Sequence, residues 1–530
     1  MEGSKESWLK RFFSRRSLVT ISLVTVGSAA LVAALLFSLH SFLEKKVATE
    51  FRELNGTFGA IKFDLFNRSI KVENIIWQTP NQRHPHEAVI KRCGVVGIDV
   101  FQLIFRGKIH ARQMLLDSGS IYFNQRLKID HTDSSAKEFL IEIEKFIIKN
   151  VFVEVRQDSV TKFQGLLNIT VGAFASSHKT LASCKLGFHE LTGSTENLLI
   201  NNGHFYNTKV KKIQFNSENG SLTMDSVILI PLHAKYKFAR MLGRQADRMD
   251  LSVKKVEIAQ LNYWKLFDRI VSIGSLTITE ANLLAFRDKR IDTGIEPNVP
   301  MPIDILRKLP FAIAIDTVNL VNSKVTVEEF PINGIRPGHV YFDQLNARLL
   351  GLNNRYTEST PHHANLLADG RLMGTGLVQA AFTLPLDGSQ DYHTVGSLTN
   401  FQLADLNPVL ENVANLRVQT GHLKKLRFDF RYGEFKSRGT LEINYKDLKL
   451  QVLKANKEKS EKFLMTIILN SMVKDTKDNS VDRDERTGVI EVERNRKKFI
   501  TNLWWKSIFS GLKASFAGKS GNSVQHRIKK

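Results

Sequence analysis

The residue types that could carry chemistry are scattered through the chain. His84 and His86 flank Pro85, and His362 and His363 follow Pro361. A fixed metal site needs three or four ligands, which neither pair supplies on its own. The chain contains no HExxH, no GxSxG elbow and no phosphate-binding GxxxxGK[ST] loop. Carboxylates are plentiful on polar strand positions, and no pair stands out as a general acid and base. The expectation is therefore no catalytic residue, no metal and no cofactor. An enzyme acting on glycan or lipid ranks behind two non-enzymatic readings.

What does recur is a pattern of apolar residues. Ile70 and Val72 alternate with Ser69, Lys71 and Glu73; Ile121 and Phe123 flank Tyr122; Val325 and Val327 flank Thr326. Leu426, Phe428, Phe430 and Tyr432 alternate with Arg427, Asp429 and Arg431. Leu441, Ile443 and Tyr445 do the same, and Leu448, Leu450 and Val452 continue after a one-residue slip. Period-two alternation places these side chains on one face of a strand. Such a face must be covered, and the chain has few helices to cover it. Either the sheet folds over and closes on itself, or it forms a curved trough whose apolar floor holds acyl chains. A ~16-carbon chain would gain roughly 12 kcal/mol there, at about 0.8 kcal/mol per CH₂ group. The candidate floor residues are Ile70, Val72, Ile121, Phe123, Val325, Val327, Leu426, Phe428, Phe430, Leu441, Ile443 and Tyr445.

An internal repeat runs through these strands. Phe63-x3-Asn67-x-Ser69 to Ile75 matches Phe215-x3-Asn219-x-Ser221 to Val227. Each copy leads to a second segment, 97–121 in one and 256–283 in the other, and 318–327 echoes the pattern a third time. Each of these segments, which include Asp117 to Ser120, Glu280 to Asn282 and Asn322, reads as strand, tight turn at a small or Asn/Asp residue, strand. Stacked repeats make an elongated body, and some twenty strands side by side would extend on the order of 100 Å.

Helices are expected at Lys137 to Lys149, at Leu261 to Val271 and after Asn407, a cap with Pro408 at the first helical position. The Pro-rich segment 294–310 is the expected internal boundary. Beyond Lys454 the expectation is a helix at Glu461 to Val473, a loose charged segment at Lys474 to Thr487, and an amphipathic helix over Asn495 to Phe516. On the last helix Phe499, Leu503, Trp504, Ile508 and Leu512 are candidates for a membrane interface. The competing reading docks that helix on the end of the β-body.

Residues 17–39 form an uncharged run, long enough for the roughly 20 helical residues that cross a bilayer. Lys5, Lys10, Arg11, Arg15 and Arg16 precede it, which keeps the N-terminus cytoplasmic and places the body outside. Ser41 to Lys45 makes a poor cleavage site, so a retained anchor is expected. The net charge of +22 favours anionic partners, and a body outside the cytoplasm points to lipid headgroups rather than nucleic acid. Cys93 and Cys184, the two cysteines, do not make a disulfide framework, though they could pair.

The chain resembles the AsmA-like proteins of bacterial envelopes, relatives of TamB and of bridge-like lipid transfer proteins. The resemblance is carried by Leu309-Pro310-Phe311 leading to Ile315-Asp316-Thr317-Val318, by Ala368 to Gly376, and by Gly396-Ser397-Leu398. It continues in Asp405 to Pro408, Thr420 to Leu423, and Arg438 to Leu441, with Ile98-Asp99-Val100 and Arg106 to Ile109 similar near the N-terminus. It implies a mainly β fold: a transmembrane helix (17–39), an N-terminal β-repeat region (40–293), a C-terminal β-module (294–454) and a helical basic tail (455–530). It implies an inner-membrane anchor, a periplasmic β-groove that binds or conducts phospholipid, and a part in outer-membrane biogenesis. The alternative is a non-transporting envelope scaffold with a closed β-core and protein partners.

Overall fold

In a computed structural model, residues 56–64, 67–78, 86–99, 101–102, 106, 108–124, 140–157, 160–177, 189–294, 297–357, 361–453 and 485–516 are described. The expected anchor (17–39), the expected helix at 461–473 and Cys184 lie outside them. Among the described residues no helix is long and apolar enough to cross a membrane.

The fold is mainly β, as the alternation requires. It divides into two compact units, residues 1–230 with 257–263 and residues 231–256 with 264–530. The strands of unit 1 are β1 (Gly56–Thr57), β2 (Ala60–Asp64), β3 (Ser69–Gln78), β4 (Glu87–Ile98), β5 (Lys108–Asn124), β6 (Leu140–Gln157), β7 (Val160–Ser177), β8 (Glu190–Asn201), β9 (Tyr206–Asn216) and β10 (Ser221–Pro231). They pair antiparallel from β3 to β5 and from β6 to β9, whereas β5 and β6 run parallel. Unit 2 holds most of β11 (Asp247–Ala259), then β12 (Ile270–Asp288), β13 (Ala312–Phe330), β14 (Gly338–Asn353), β15 (His363–Leu372), β16 (Gly376–Pro385), β17 (Tyr392–Gln402), β18 (Leu416–Tyr432), β19 (Lys436–Val452) and β20 (Glu485–Glu493). Here β12 and β13 run parallel, and every step from β13 to β20 is antiparallel. Short helices punctuate the strands: α1 (Phe238–Leu242), α2 (Tyr263–Phe267), α3 (Pro302–Arg307) and α4 (Asn407–Val409). The 17-residue α5 (Ile500–Phe516) follows β20.

The repeat is written in the backbone. Residues in the left-handed region recur at matching places in the two copies. Arg68 answers to Gly220, Asn74 to Ser226, Ser118 to Glu280, Asn150 to Asn322 and Ala173 to Gly351. The Asn150 amide donates to the Asn168 side-chain oxygen at 2.9 Å, and the Asn322 amide to that of Asn346 at 3.0 Å. The segment 318–327 is thus the second copy of β6 rather than a third repeat.

Several of these residues sit in mid-strand, where the sequence suggests turns. The strands run on through Ser118, Glu280 and Asn322, each left-handed at φ 46–58°. A left-handed residue inserted in a strand makes a bulge and shifts the side-chain parity by one. Each bulge therefore keeps the apolar residues on one side. Met114 and Leu116 precede Ser118, and Ile121 and Phe123 follow it; all four are buried. Phe146 and Ile148 precede Asn150, and Val151, Val153 and Val155 follow it. The slip between Tyr445 and Leu448 has the same cause, Asp447 at φ 55°. In unit 1 the bulges line up, because Asn74 falls between the pairs Glu73–Arg92 and Ile75–Ile90, Ser118 between Arg92–Asp117 and Ile90–Gly119, and Asn150 between Asp117–Lys149 and Gly119–Val151.

Four expectations are corrected. Residues 140–157 form strand β6 and not the second part of a helix. The FLIEIEKFII pattern satisfies helical and strand spacing alike, and pairing with β5 and β7 decides for the strand. The helix at 261–271 shrinks to α2, because Ile270 already pairs with Ala312 as β12 begins. Asn407 is not an N-cap: a 3₁₀ turn begins at Leu403, and the Asn407 amide instead brackets Val418, donating to its carbonyl at 2.9 Å and accepting from its N–H at 2.8 Å. The tail is not wholly helical, since 485–493 forms β20, which pairs with β19. The Pro-rich segment lies within unit 2 and carries α3, with Pro302 at its start.

Candidate functional site

The register of unit 2 brings apolar residues together strand by strand. Directly opposed residues share a face of the sheet. Leu276 is level with Val318, Val318 with Leu349, Leu349 with Leu366, and Leu366 with Phe382. One step along, Ile278 is level with Leu320, Leu320 with Ala347, Ala347 with Ala368, and Ala368 with Ala380. The same rows continue through Thr394 and Gly396 to Phe430 and Phe428, then to Gly439 and Leu441, and end at Ile490 and Gly488. The other face reads Thr277, Asn319, Arg348, Leu367, Ala381, Val395, Asp429 and Thr440, a largely polar row.

The apolar face is covered in part: Met301 and Ile303 of the α3 segment join the same buried cluster as α5, and Leu349 and Leu352 pack against it. Over β19 and β20 lies α5, with Ile500 and Leu503 1% and 2% exposed. The approach is close because small residues line the contact. A Cβ on Gly488 would lie 1.9 Å from the Gly511 carbonyl oxygen, and one on Gly511 2.5 Å from Leu441 Cβ. The buried hydroxyls of Ser507 and Ser437 pair at 2.6 Å, and Ser507 also donates to the Leu503 carbonyl. Ser510 clamps the Glu491 backbone, accepting from its N–H at 3.3 Å and donating to its carbonyl at 3.2 Å. That clamp engages backbone groups of β20, which would otherwise be a template for another strand. Trp504 stacks obliquely on Phe382 with ring centroids 4.9 Å apart, and Phe516 lies 5.5 Å from Tyr445.

Beyond Trp504, toward β12, the apolar rows are less deeply buried. Leu276, Ile278, Val318, Leu320, Ala347, Leu349, Leu366 and Ala368 are all half-buried, and of these Leu349 packs against the buried unit 2 cluster. At about 4.8 Å between strands, the strip from β12 to β16 is roughly 20 Å wide, more than the ~15 Å hydrocarbon depth of one leaflet.

The residues singled out from the sequence fall into three environments. Ile70, Val72, Ile121 and Phe123 belong to the buried core of unit 1, all below 7% exposure. Leu426, Phe430, Leu441 and Ile443 are buried in unit 2, in the cluster that includes Ile500 and Leu503 of α5. Val325, Phe428 and Tyr445 are half-buried and Val327 is exposed. On the last helix, Leu503 is buried and Trp504, Ile508 and Leu512 pack toward the sheet, while Phe499 is half-exposed. Missed from the sequence were Leu276, Ile278, Leu320, Leu349 and Leu366. The spacing Leu276-x-Ile278 and Val318-x-Leu320 carries them, once the bulges at Glu280 and Asn322 are allowed for.

The titratable groups serve the fold. His86 is buried, its Nδ1 accepts from the Asn124 amide at 3.2 Å, and burial lowers its pKa. His362 approaches Tyr356 Oη at 3.1 Å and Asp387 at 3.5 Å. Among the described residues no three His, Cys, Asp or Glu side chains converge as a metal site. Cys93 is a buried free thiol, and burial pushes it up to about 12.

Asp288 closes the far end of β12. It is 2% exposed and accepts two bonds from the Arg290 guanidinium at 2.9 and 2.7 Å, while that guanidinium lies 3.5 Å from the Phe330 ring centroid. The Arg290 bonds hold its carboxyl below the ordinary range. A depressed folded-state pKa contributes stability that is complete above the unfolded value and is lost as pH falls through the folded one. Asp288→Asn is expected to cost about 1–2 kcal/mol at neutral pH, discounted for the partly exposed arginine. The gap from wild type should close in acid, which thermal unfolding at neutral pH and near pH 3 would check.

Compared with known proteins, the chain matches no family model and no curated protein.

Proposed function

We propose that the chain is an AsmA-like, membrane-anchored envelope protein that holds phospholipid acyl chains against the half-buried apolar strip of β12 to β16, as part of outer-membrane biogenesis or envelope lipid homeostasis. The supporting observation is the unbroken register of half-buried apolar residues from Leu276 to Phe382, backed by a largely polar face. A single strand-face residue is ordinary core. Five adjacent strands in register, their apolar rows only half-buried, suit a ligand that is itself a flexible hydrocarbon. No polar group on the strip calls for a specific headgroup, so the chemistry selects acyl chains as a class.

A closed envelope scaffold is the second reading, and the buried core of unit 1 favours it for that part of the chain. Placing a photoreactive benzophenone side chain at Leu349, and separately at Arg348 on the opposite face, distinguishes the two. Lipid adducts at position 349 and none at 348 are expected after irradiation in cells. Protein adducts alone at both positions would support the scaffold.

A further inference from the structure

Docking of α5 leaves a second, outward stripe on the helix. Phe499, Trp505 and Phe509 are 49%, 43% and 50% exposed, the Trp505 and Phe509 rings lie 6.3 Å apart one turn from each other, and neither faces the sheet. Lys506 and Lys513 are exposed on the same side, and Lys497 is exposed just before the helix. The charge of this stretch of sequence has one sign. From Arg494 to residue 530 the sequence holds ten Lys or Arg and no Asp or Glu. Aromatic rings that leave water on one side, ringed by lysines with no acid among them, complement a surface that is apolar beneath and anionic on top.

We propose that the outer face of α5 docks on an anionic bilayer surface, with Trp505, Phe509 and Phe499 entering the headgroup boundary and Lys497, Lys506 and Lys513 engaging lipid phosphates. This stripe is distinct from Leu503, Trp504, Ile508 and Leu512, which the sheet occupies, so α5 can close the β-sheet and meet a membrane at once. The geometry seats the bilayer against the covered end of the apolar face. The claim does not depend on whether that face carries lipid.

The test uses the full chain with Thr501→Cys labelled by an environment-sensitive fluorophore and Cys184→Ser removing a competing thiol; Cys93 stays unlabelled because it is buried. The labelled chain is mixed with phosphatidylcholine vesicles with or without phosphatidylglycerol. A blue shift is expected with the anionic vesicles, much weaker with the neutral ones, and reversed by high salt. Changing Lys497, Lys506 and Lys513 together to Glu should weaken binding by about 100-fold or more, at roughly fivefold for each lost lysine. Trp505→Ala with Phe509→Ala should weaken it by about tenfold or more. These residues are exposed, so thermal unfolding of both variants should match wild type. Equal shifts with both vesicle types, insensitivity to the glutamates, or no shift with either vesicle would each overturn the proposal, the last assigning the stripe to a protein partner.

Discussion

Phe430→Asp is expected to unfold unit 2, whereas Leu349→Asp on the same sheet face should leave it folded. Phe430 is 2% exposed and lies among Phe428, Tyr432 and the residues beneath α5. A carboxylate there has no partner and also removes a packed ring. The cost is about 4–5 kcal/mol or more, a large part of the stability of an ordinary domain. Leu349 is half-buried at the margin of the same cluster, so the same charge costs about 1–2 kcal/mol. Circular dichroism and thermal unfolding of the two variants check this directly. Similar losses in both would mean that the strip is closed in solution and that lipid has no access to it.

Gly488→Val is expected to detach α5. The new side chain would collide with the Gly511 backbone, which sits 1.9 Å from the position of the first added carbon. Neither β20 nor the helix backbone can give way without breaking the Ser510 clamp on Glu491. Overpacking of this kind costs about 1–3 kcal/mol when side chains can yield, and more when backbone meets backbone. Release would uncover Leu441, Ile490 and Leu503, all at most 2% exposed. Faster amide exchange across 485–516, with β12 to β15 unchanged, is the predicted signature. Unchanged exchange in β20 and α5 would show that the glycine contact is not what seats the helix.

The fold class was legible because alternation is local. Leu441, Ile443 and Tyr445 announce a strand whatever lies beside them, and Asn67 and Asn219 mark hairpins that the two copies share. What was not legible depends on partners distant in sequence. Ser118, Glu280 and Asn322 look like turn residues because the left-handed conformation serves turns and bulges equally, and only the pairing register tells them apart. The strand at 140–157 carries spacing that a helix also accepts, and its two neighbours settle the matter.

The site was read in part. Apolar alternation located strand faces but not their cover. Phe428 and Phe430 were natural choices from spacing, yet α5 lies over that end of the face, and the half-buried strip runs through Leu320, Leu349 and Leu366. The last helix shows the same limit. Its broad apolar stripe gave amphipathicity, and the sheet takes most of it. The overlooked signal was Ser507, Gly511 and Ser515, small residues spaced by four, which mark where a helix can approach another backbone. Trp505 and Phe509 then stand out as the aromatics left over.

The central claim is that the β12 to β16 strip holds lipid, and lipid mass spectrometry of the purified full chain tests it most directly. Wild type is compared with Leu320→Asp/Leu349→Asp and with Arg348→Asp on the opposite face. Phospholipid at a fixed ratio to protein is predicted for wild type and the Arg348 variant, and its loss from the double variant while thermal unfolding still shows a folded chain. Equal lipid in all three, or none in wild type, would contradict the account.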